Sequence, residues 1–416
     1  MPFSLPRLSS RAIAFAVATA TAAVAISLVV DSAAAGPAHG NVRTAADPIP
    51  GRYLVVFKEE PASVPRGSAA DSEHLVAAAT TAAKAAGTAR THGGTVRTVF
   101  STALRGYASE MTAAQARRVA ADPAVAYVQQ DGLHAVSSTQ TDPPWGLDRI
   151  DQRGLPLDRK YTVARTAANV TVYLVDSGLR TTHSQFQGRA TIGVDEVGDG
   201  RNGADCTGHG THVAGTVGGK DFGVAKGVKL VAVRVTDCRD RAATSAIIAA
   251  ADWITAHAVK PAVVNMSING GANTAEDDAI KRSIASGVTW VVSSGNGNTN
   301  ACDNSPARIG PAIVVNNSTS DDARRSDSNF GPCTDLFAPG TDITSAGNQN
   351  DTAGRKLSGT SMAAPHVAGA AALYLSTNPG ATPAEVHNAL TGAATTGKIH
   401  GVGKDTPNRL LFTGGS

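Results

Sequence analysis

The 416-residue sequence predicts an α/β protein, a parallel sheet covered by helices on both faces, with a smaller α+β module ahead of it. Two observations carry that expectation. From about residue 140 onward, short β-branched and aliphatic runs alternate with longer alanine-rich stretches, the βαβ pattern of a parallel sheet. Between residues 53 and 129, four strand-like runs and two helical ones follow in the order βαββαβ, the ferredoxin-like plan. The 43 glycines and only 4% aromatic residues fit close helix–sheet packing with many turns.

At the N-terminus, Arg7 and Arg11 precede the apolar stretch Ala12 to Val30, and Ala33-Ala34-Ala35 stands before Gly36. Residues 1–35 therefore read as a secretion signal with its cleavage site. The stretch is mostly alanine and threonine, which partition poorly into hydrocarbon, and no other run approaches the ~20 apolar residues of a membrane span. An exported protein with no membrane anchor is expected. Residues 36–50 are polar and proline-containing, as a linker would be. The module follows, with Tyr53 to Lys58 as a strand, His74 to Arg90 as an alanine-rich helix, and Thr95 to Phe100 and Leu104 to Ser109 as a strand pair. Thr112 and Gln115 form a capping box on a second helix, which Asp122-Pro123 stops, and Val125 to Gln129 is the last strand.

In the longer part, Val170 to Val175, Leu230 to Val235, Ala262 to Met266 and Val288 to Val292 read as buried strands. Ala243 to His257 and Ala275 to Ser286 are helices between them. The division expected is a signal over 1–35, linker and module over 36–138, and the main domain over 139–416. A net charge of +3 without any lysine or arginine block describes a solvated surface, not a nucleic-acid partner. The four cysteines, Cys206, Cys238, Cys302 and Cys333, would meet an oxidising compartment where disulfides persist, and they allow three pairings. No C-x-x-C pair is present, which disfavours zinc.

Three segments carry chemistry. Gly359-Thr360-Ser361-Met362-Ala363-Ala364-Pro365 sets a serine between a small-residue turn and an apolar helix, where backbone N–H groups and the helix dipole favour developing negative charge. A nucleophilic hydroxyl uses that environment, although an ordinary capping turn has the same composition. The strand Val170 to Val175 delivers Asp176 to its carboxyl end, where sites form in open α/β sheets. His209-Gly210-Thr211-His212 opens a small-residue helix with a histidine at its mouth. A metal pair at i,i+3 is the other reading of that segment, but a hydrolytic zinc would want a glutamate beside the histidines, and none is there.

An aspartate, a histidine and a serine, each at an element end and in that chain order, match the subtilisin order of the catalytic triad. From about Pro144-Trp145-Gly146-Leu147 to Leu410 the chain resembles the subtilisin-like serine proteases, in the secreted proteinase K and aqualysin branch. The resemblance implies a subtilisin-like fold and a serine endopeptidase with Ser361 as nucleophile, His209 as base, Asp176 as its orienting partner and Asn296 as oxyanion-hole donor. The ferredoxin-like module resembles the family's inhibitory propeptide. Its tail, Asp131 to Thr139, would lie in the cleft, with self-cleavage near Ser137 to Thr139. The resemblance also implies the local pairing Cys206–Cys238 and Cys302–Cys333, polypeptide substrates, and a monomer whose own propeptide is its inhibitor.

Family substrates are clamped between two edge strands. Here those strands are Ser267-Ile268-Asn269-Gly270-Gly271, where relatives carry Ser-Leu-Gly-Gly-Gly, and Asp240-Arg241-Ala242, where Gly-Ser-Gly is usual. Ser293, Ser294 and Gly295 complete the substrate contacts expected. Both departures predict crowding at the backbone, beside an apolar pocket lined by Ile247 and Ile268, and an Arg241 that points inward would repel basic side chains. Structural calcium is implied at two places. One is the Gly310 and Ala312 carbonyls with Asp335, and the other is Asp148, Asp151, Gln152 and Asp158, where Lys160 stands in place of the usual asparagine. The rival expectation, from the altered cleft strands, is an impaired protease homologue acting as a binding protein or held by its propeptide.

Overall fold

In the computed structural model, residues 41–45, 48–58, 70–132, 138–163 and 165–414 are described. The expected signal over 1–35 lies outside them, as does 133–137 within the expected propeptide tail. Contacts divide the chain into two units, Met1–Val42 with Tyr53–Val128, and Arg43–Arg52 with Gln129–Ser416.

The larger unit is built on a nine-stranded sheet. Its order is Thr395–Thr396, Arg409–Leu410, Leu336–Pro339, Ile313–Ser318, Thr289–Ser293, Ala262–Met266, Thr171–Asp176, Lys229–Arg234, Ala190–Asp195. Every pairing is parallel except that of Thr395–Thr396 with Arg409–Leu410, so the parallel expectation is amended at one edge. The central strand Thr171–Asp176 is buried along its whole length because helices cover both faces, hence its continuous apolar run. Val172 and Leu174 face one cluster with Val213, Val217, Val367 and Ala371 from the helices His209–Gly218 and Thr360–Thr377. Tyr173 and Val175 face the opposite cluster with Ile247, Ile254, Ile280 and Ile284 from the helices Thr244–His257 and Thr274–Ala285. Truncating Leu174, which has no exposed surface, to alanine would cost about 2–5 kcal/mol. The carboxyl ends of the strands therefore meet the mouths of the two helices that carry His209 and Ser361.

A separate five-stranded sheet has the order Val42–Arg43, Val125–Gly132, Pro48–Phe57, Gly106–Glu110, Thr95–Phe100. The stretch read as a linker thus contains the short strand Val42–Arg43 and the start of the next. Thr112 caps the helix Ala113–Ala120 in a complete capping box with Gln115, and Ala116 and Val119 are its buried face. The long helix Ala70–His92 buries a narrow stripe, Thr81, Ala85 and Thr88, at spacings of four and three.

Candidate active site

Asp176, 1% exposed at the end of its strand, accepts from the His209 imidazole Nδ1 at 2.7 Å and from the Ser177 N–H at 2.7 Å through the same oxygen. Its other oxygen is buried and without a hydrogen-bond partner, which favours a positive charge on the adjacent ring. Burial pulls His209 down, but the Asp176 carboxylate, then those of Asp240 and Asp205, hold it above the ordinary histidine value. Asp205, which sequence reasoning missed, sets this geometry. It accepts from the N–H groups of Thr207, Gly208 and Thr211 and from the Ser177 hydroxyl, while Ser177 accepts from Gly210. Three orphan donors at the mouth of the His209 helix, on Gly208, Gly210 and Thr211, are satisfied by that arrangement. The only sequence signal was an aspartate four residues before a histidine at a helix start.

Ser361 is the second residue of the helix Thr360–Thr377. Pro365, inside that helix, lacks the N–H that would bond the Ser361 carbonyl four residues back. That carbonyl accepts instead from the Ser267 hydroxyl at 3.0 Å, and the Ser361 hydroxyl donates to the Ser267 carbonyl at 3.1 Å. The nucleophile candidate is thus fixed to the end of the strand Ala262–Met266. Gly359 sits at φ +154°, and a Cβ there would lie 3.5 Å from Asn296 Nδ2 and 3.7 Å from the Ser361 backbone nitrogen. Glycine leaves that space open between two donors. Asn296 is oriented by Thr360, whose N–H and hydroxyl donate to its Oδ1 at 2.8 and 3.0 Å, so its NH₂ is left free to face the gap. Two N–H donors around an open volume beside a serine are what an oxyanion requires.

The edge residues have definite places. Asn269 donates to the Ser293 carbonyl at 2.8 Å and accepts from the Ser293 hydroxyl at 2.7 Å, so its side chain ties its own segment to the end of the strand Thr289–Ser293. Ser294 is buried, and its carbonyl accepts from Asn329, whose Oδ1 accepts from Gly297 beyond Gly295 and Asn296. Ile247 is buried, and Ile268 packs against the same cluster. Arg241 pairs with Asp237 through two of its guanidinium nitrogens, Nη2 at 2.8 Å and Nε at 3.2 Å, and is exposed. Ala242 bridges Thr236, and Asp240 sits at φ +56°.

A profile of the subtilase family matches residues 167–410, and one of the peptidase inhibitor I9 family matches residues 52–134. The chain belongs to the subtilase family. This subtilase is 48% identical over 372 residues to the extracellular serine proteinase of Thermus sp. (strain Rt41A), covering 89% of the chain and 91% of that relative. To the alkaline serine exoprotease A of Vibrio alginolyticus it is 43% identical over 324 residues, 76% of the chain and 60% of the relative. Among solved structures, a cold-adapted subtilisin-like serine proteinase matches with a TM-score of 0.65 and 46% identity, over 66% of this chain and 100% of that one. The chain is a subtilisin-like serine protease with an inhibitor-type segment ahead of its peptidase domain.

Further residues of the subtilase are placed as follows. Disulfides join Cys206 to Cys238 and Cys302 to Cys333, the pairing the resemblance implied. His212 is fully buried, and its Nε2 donates to the carbonyls of Ile343 and Arg355 at 2.9 and 3.1 Å; burial pushes it down to about 4. It is a neutral structural histidine, turned to its neighbours rather than to His209. Of the calcium candidates, Asp335 accepts from the Val314 N–H at 2.8 Å and lies 3.0 Å from the His387 ring. Asp148 accepts from the N–H groups of Asp158 and Arg159, Asp151 from Thr162, and Gln152 from Asp158. Asp148 is raised by burial and by Asp158, and Asp151 is pushed to about 6 by burial and by Asp158 and Asp148. These are hard oxygen donors of the type calcium takes. Among the described residues, no group of three or more acidic, histidine or cysteine side chains is arranged to hold a metal, and no helix is long and apolar enough to cross a membrane.

Proposed function

We propose that the chain is a secreted serine endopeptidase that matures by cutting off its own propeptide and works through an acyl-enzyme on Ser361. The observation that carries the reading is the 2.7 Å bond from His209 to a buried aspartate, with His209 on a helix packed against the helix Thr360–Thr377 that holds Ser361 in its first turn. In this reading the Ser361 hydroxyl leaves the Ser267 carbonyl and attacks the scissile carbonyl while His209 takes its proton. Asp176 fixes the ring tautomer and stabilises the imidazolium. The oxyanion is received by Asn296 Nδ2 and the Ser361 N–H, a contribution of about 3–4 kcal/mol for the asparagine. His209 then returns the proton to the leaving amine, and water repeats the sequence on the ester.

Secretion is supported by the leader-like residues 1–35 and by the relative named an extracellular proteinase. The segment matching the inhibitor family supports an intramolecular inhibitor, with the domain division at 138 and a monomeric enzyme as parts of the same proposal. Calcium would be held by Asp148, Asp151, Gln152 and Asp158, and by Asp335 with the Gly310 and Ala312 carbonyls, where it would fasten loops without touching the chemistry. One experiment tests the core of the reading. A serine-directed phosphonate should stop peptide hydrolysis and leave one adduct on the peptide containing Ser361, whereas a chelator should lower thermal stability without stopping hydrolysis in brief assays. Hydrolysis that survives the phosphonate overturns the mechanism, and absence of any hydrolysis favours the binding-protein alternative.

A further inference from the structure

We propose that Asp240 makes this protease prefer a basic side chain at the second residue on the acyl side of the scissile bond. The inference rests on the serine-protease reading of His209 and Ser361 and names a substrate feature for that site.

Three ties fasten the loop that carries Asp240 to the triad aspartate and to the segment that leads into His209. The N–H groups of Val235 and Thr236 both donate to the carbonyl of Asp176, at 2.9 and 3.4 Å, so the segment leading to Asp240 starts from the triad aspartate itself. Thr236 then bridges Ala242, closing the loop between them. Cys238, two residues before Asp240, is bonded to Cys206, three residues before His209, with their Cα atoms 5.4 Å apart. The loop cannot swing away while those ties hold.

Within the loop, the charges have separate fates. The Asp240 N–H donates to the Asp237 carbonyl at 3.1 Å, and the Asp237 carboxylate accepts from the N–H groups of Arg239 and Arg241 and from the Arg241 guanidinium. Arg241 is therefore engaged. Asp240 is exposed and forms no ion pair or side-chain hydrogen bond among the described residues. Its charge is felt by His209, which it helps to hold above the ordinary histidine value after burial and Asp176 have had their larger effects. A peptide laid along the Asp240 to Ala242 edge, with its carbonyl at Ser361, presents the side chain preceding the scissile residue to the space between His209 and Asp240. A lysine or arginine there meets an unpartnered carboxylate, and a glutamate meets a like charge.

The test uses chromogenic tetrapeptides alike except at that position, with Lys, Arg, Gln or Glu, assayed as kcat/KM on the mature enzyme. Wild type should favour Lys and Arg over Gln by about two- to fivefold and disfavour Glu by a similar factor, the range of a solvated ion pair. Asp240→Asn, a residue that tolerates positive φ, should level the series, Asp240→Glu should keep the order, and added salt should compress the wild-type spread. A wild type indifferent to that position, or an Asp240→Asn enzyme with an unchanged order, overturns the inference while leaving the protease reading intact. If no peptide is cut and the phosphonate labels nothing, the protease reading has failed and this inference falls with it.

Discussion

The two units are held together by different means. The smaller relies on one apolar cluster, centred on Tyr53, Val55, Tyr107, Ala116, Val119 and Val128, and on a capped short helix. The larger has an apolar cluster on each face of its sheet, two disulfides, and a buried Arg149 bonded to Asp322 at 2.7 and 2.9 Å. Both disulfides belong to the larger unit. The smaller a domain, the smaller the fraction of its surface it hides and the less it folds with in reserve. Where durability is concentrated thus tells which part is built to remain, and in the proposed maturation that is the protease.

The largest effect expected separates the units chemically. Ser361→Ala should lower peptide hydrolysis by about ten-thousandfold or more and should accumulate as an uncut precursor. Intact-mass measurement of protein from a protease-deficient host checks this, and normal processing of that variant would show that another enzyme makes the cut. The uncut variant also allows both units to be followed in one sample. Reducing its disulfides, which close loops with sequence separations of 32 and 31, should weaken the larger unit by about 3–4 kcal/mol per loop on the chain-entropy argument. Calorimetry should show the larger unit's transition moving down while it stays folded at room temperature, with the smaller unit's transition unmoved. Movement of both would break the comparison.

A smaller effect depends on pH. Glu276 is 4% exposed with an unpartnered Oε1, and burial, then Asp277, pushes it up to about 7. Its folded value is raised, so the larger unit is favoured below about pH 4.5 and loses that advantage as pH rises through about 7. Glu276→Gln should therefore stabilise by about 2–4 kcal/mol well above pH 7 and change nothing near pH 4. Melting temperatures measured across that range give the difference, and a constant offset would mean that the charge is not responsible. The smallest effect compares one motif in two settings. Thr112 with Gln115 and Thr382 with Glu385 are both complete capping boxes, so removing either threonine side chain should cost about 1 kcal/mol. In the smaller unit that should lower the melting temperature by about 4–8 °C, and in the larger by half as much or less. Equal shifts would mean that the units melt together.

Much of this was legible in the sequence because the signals are local. The strand Ala262–Met266 falls on the residues expected, since five consecutive buried positions leave no periodicity to misread. Gly359 to Pro365 pointed to the proposed nucleophile because turn, serine and apolar helix are adjacent. The short strands Val42–Arg43 and Ser138–Thr141 were missed because so few residues carry no alternation, and the second is defined by pairing with Lys160–Val163 across a long excursion. Asp205 and Asp237 escaped for another reason. Each works by gathering backbone N–H groups, and an aspartate in a polar loop gives no sign of which amides will converge on it.

Pro365 has a consequence for anyone trying to make the enzyme hardier. Helix-propensity tables would nominate it first, because an interior proline costs a helix about 3 kcal/mol relative to alanine. Pro365→Ala would let the Ser361 carbonyl rejoin the helix ladder and release the Ser267 hydroxyl that now holds it. A screen ranking variants by heat resistance alone would select that substitution, and kcat/KM measured beside it should show the toll: the imperfection in the helix is what moors its first turn to the sheet.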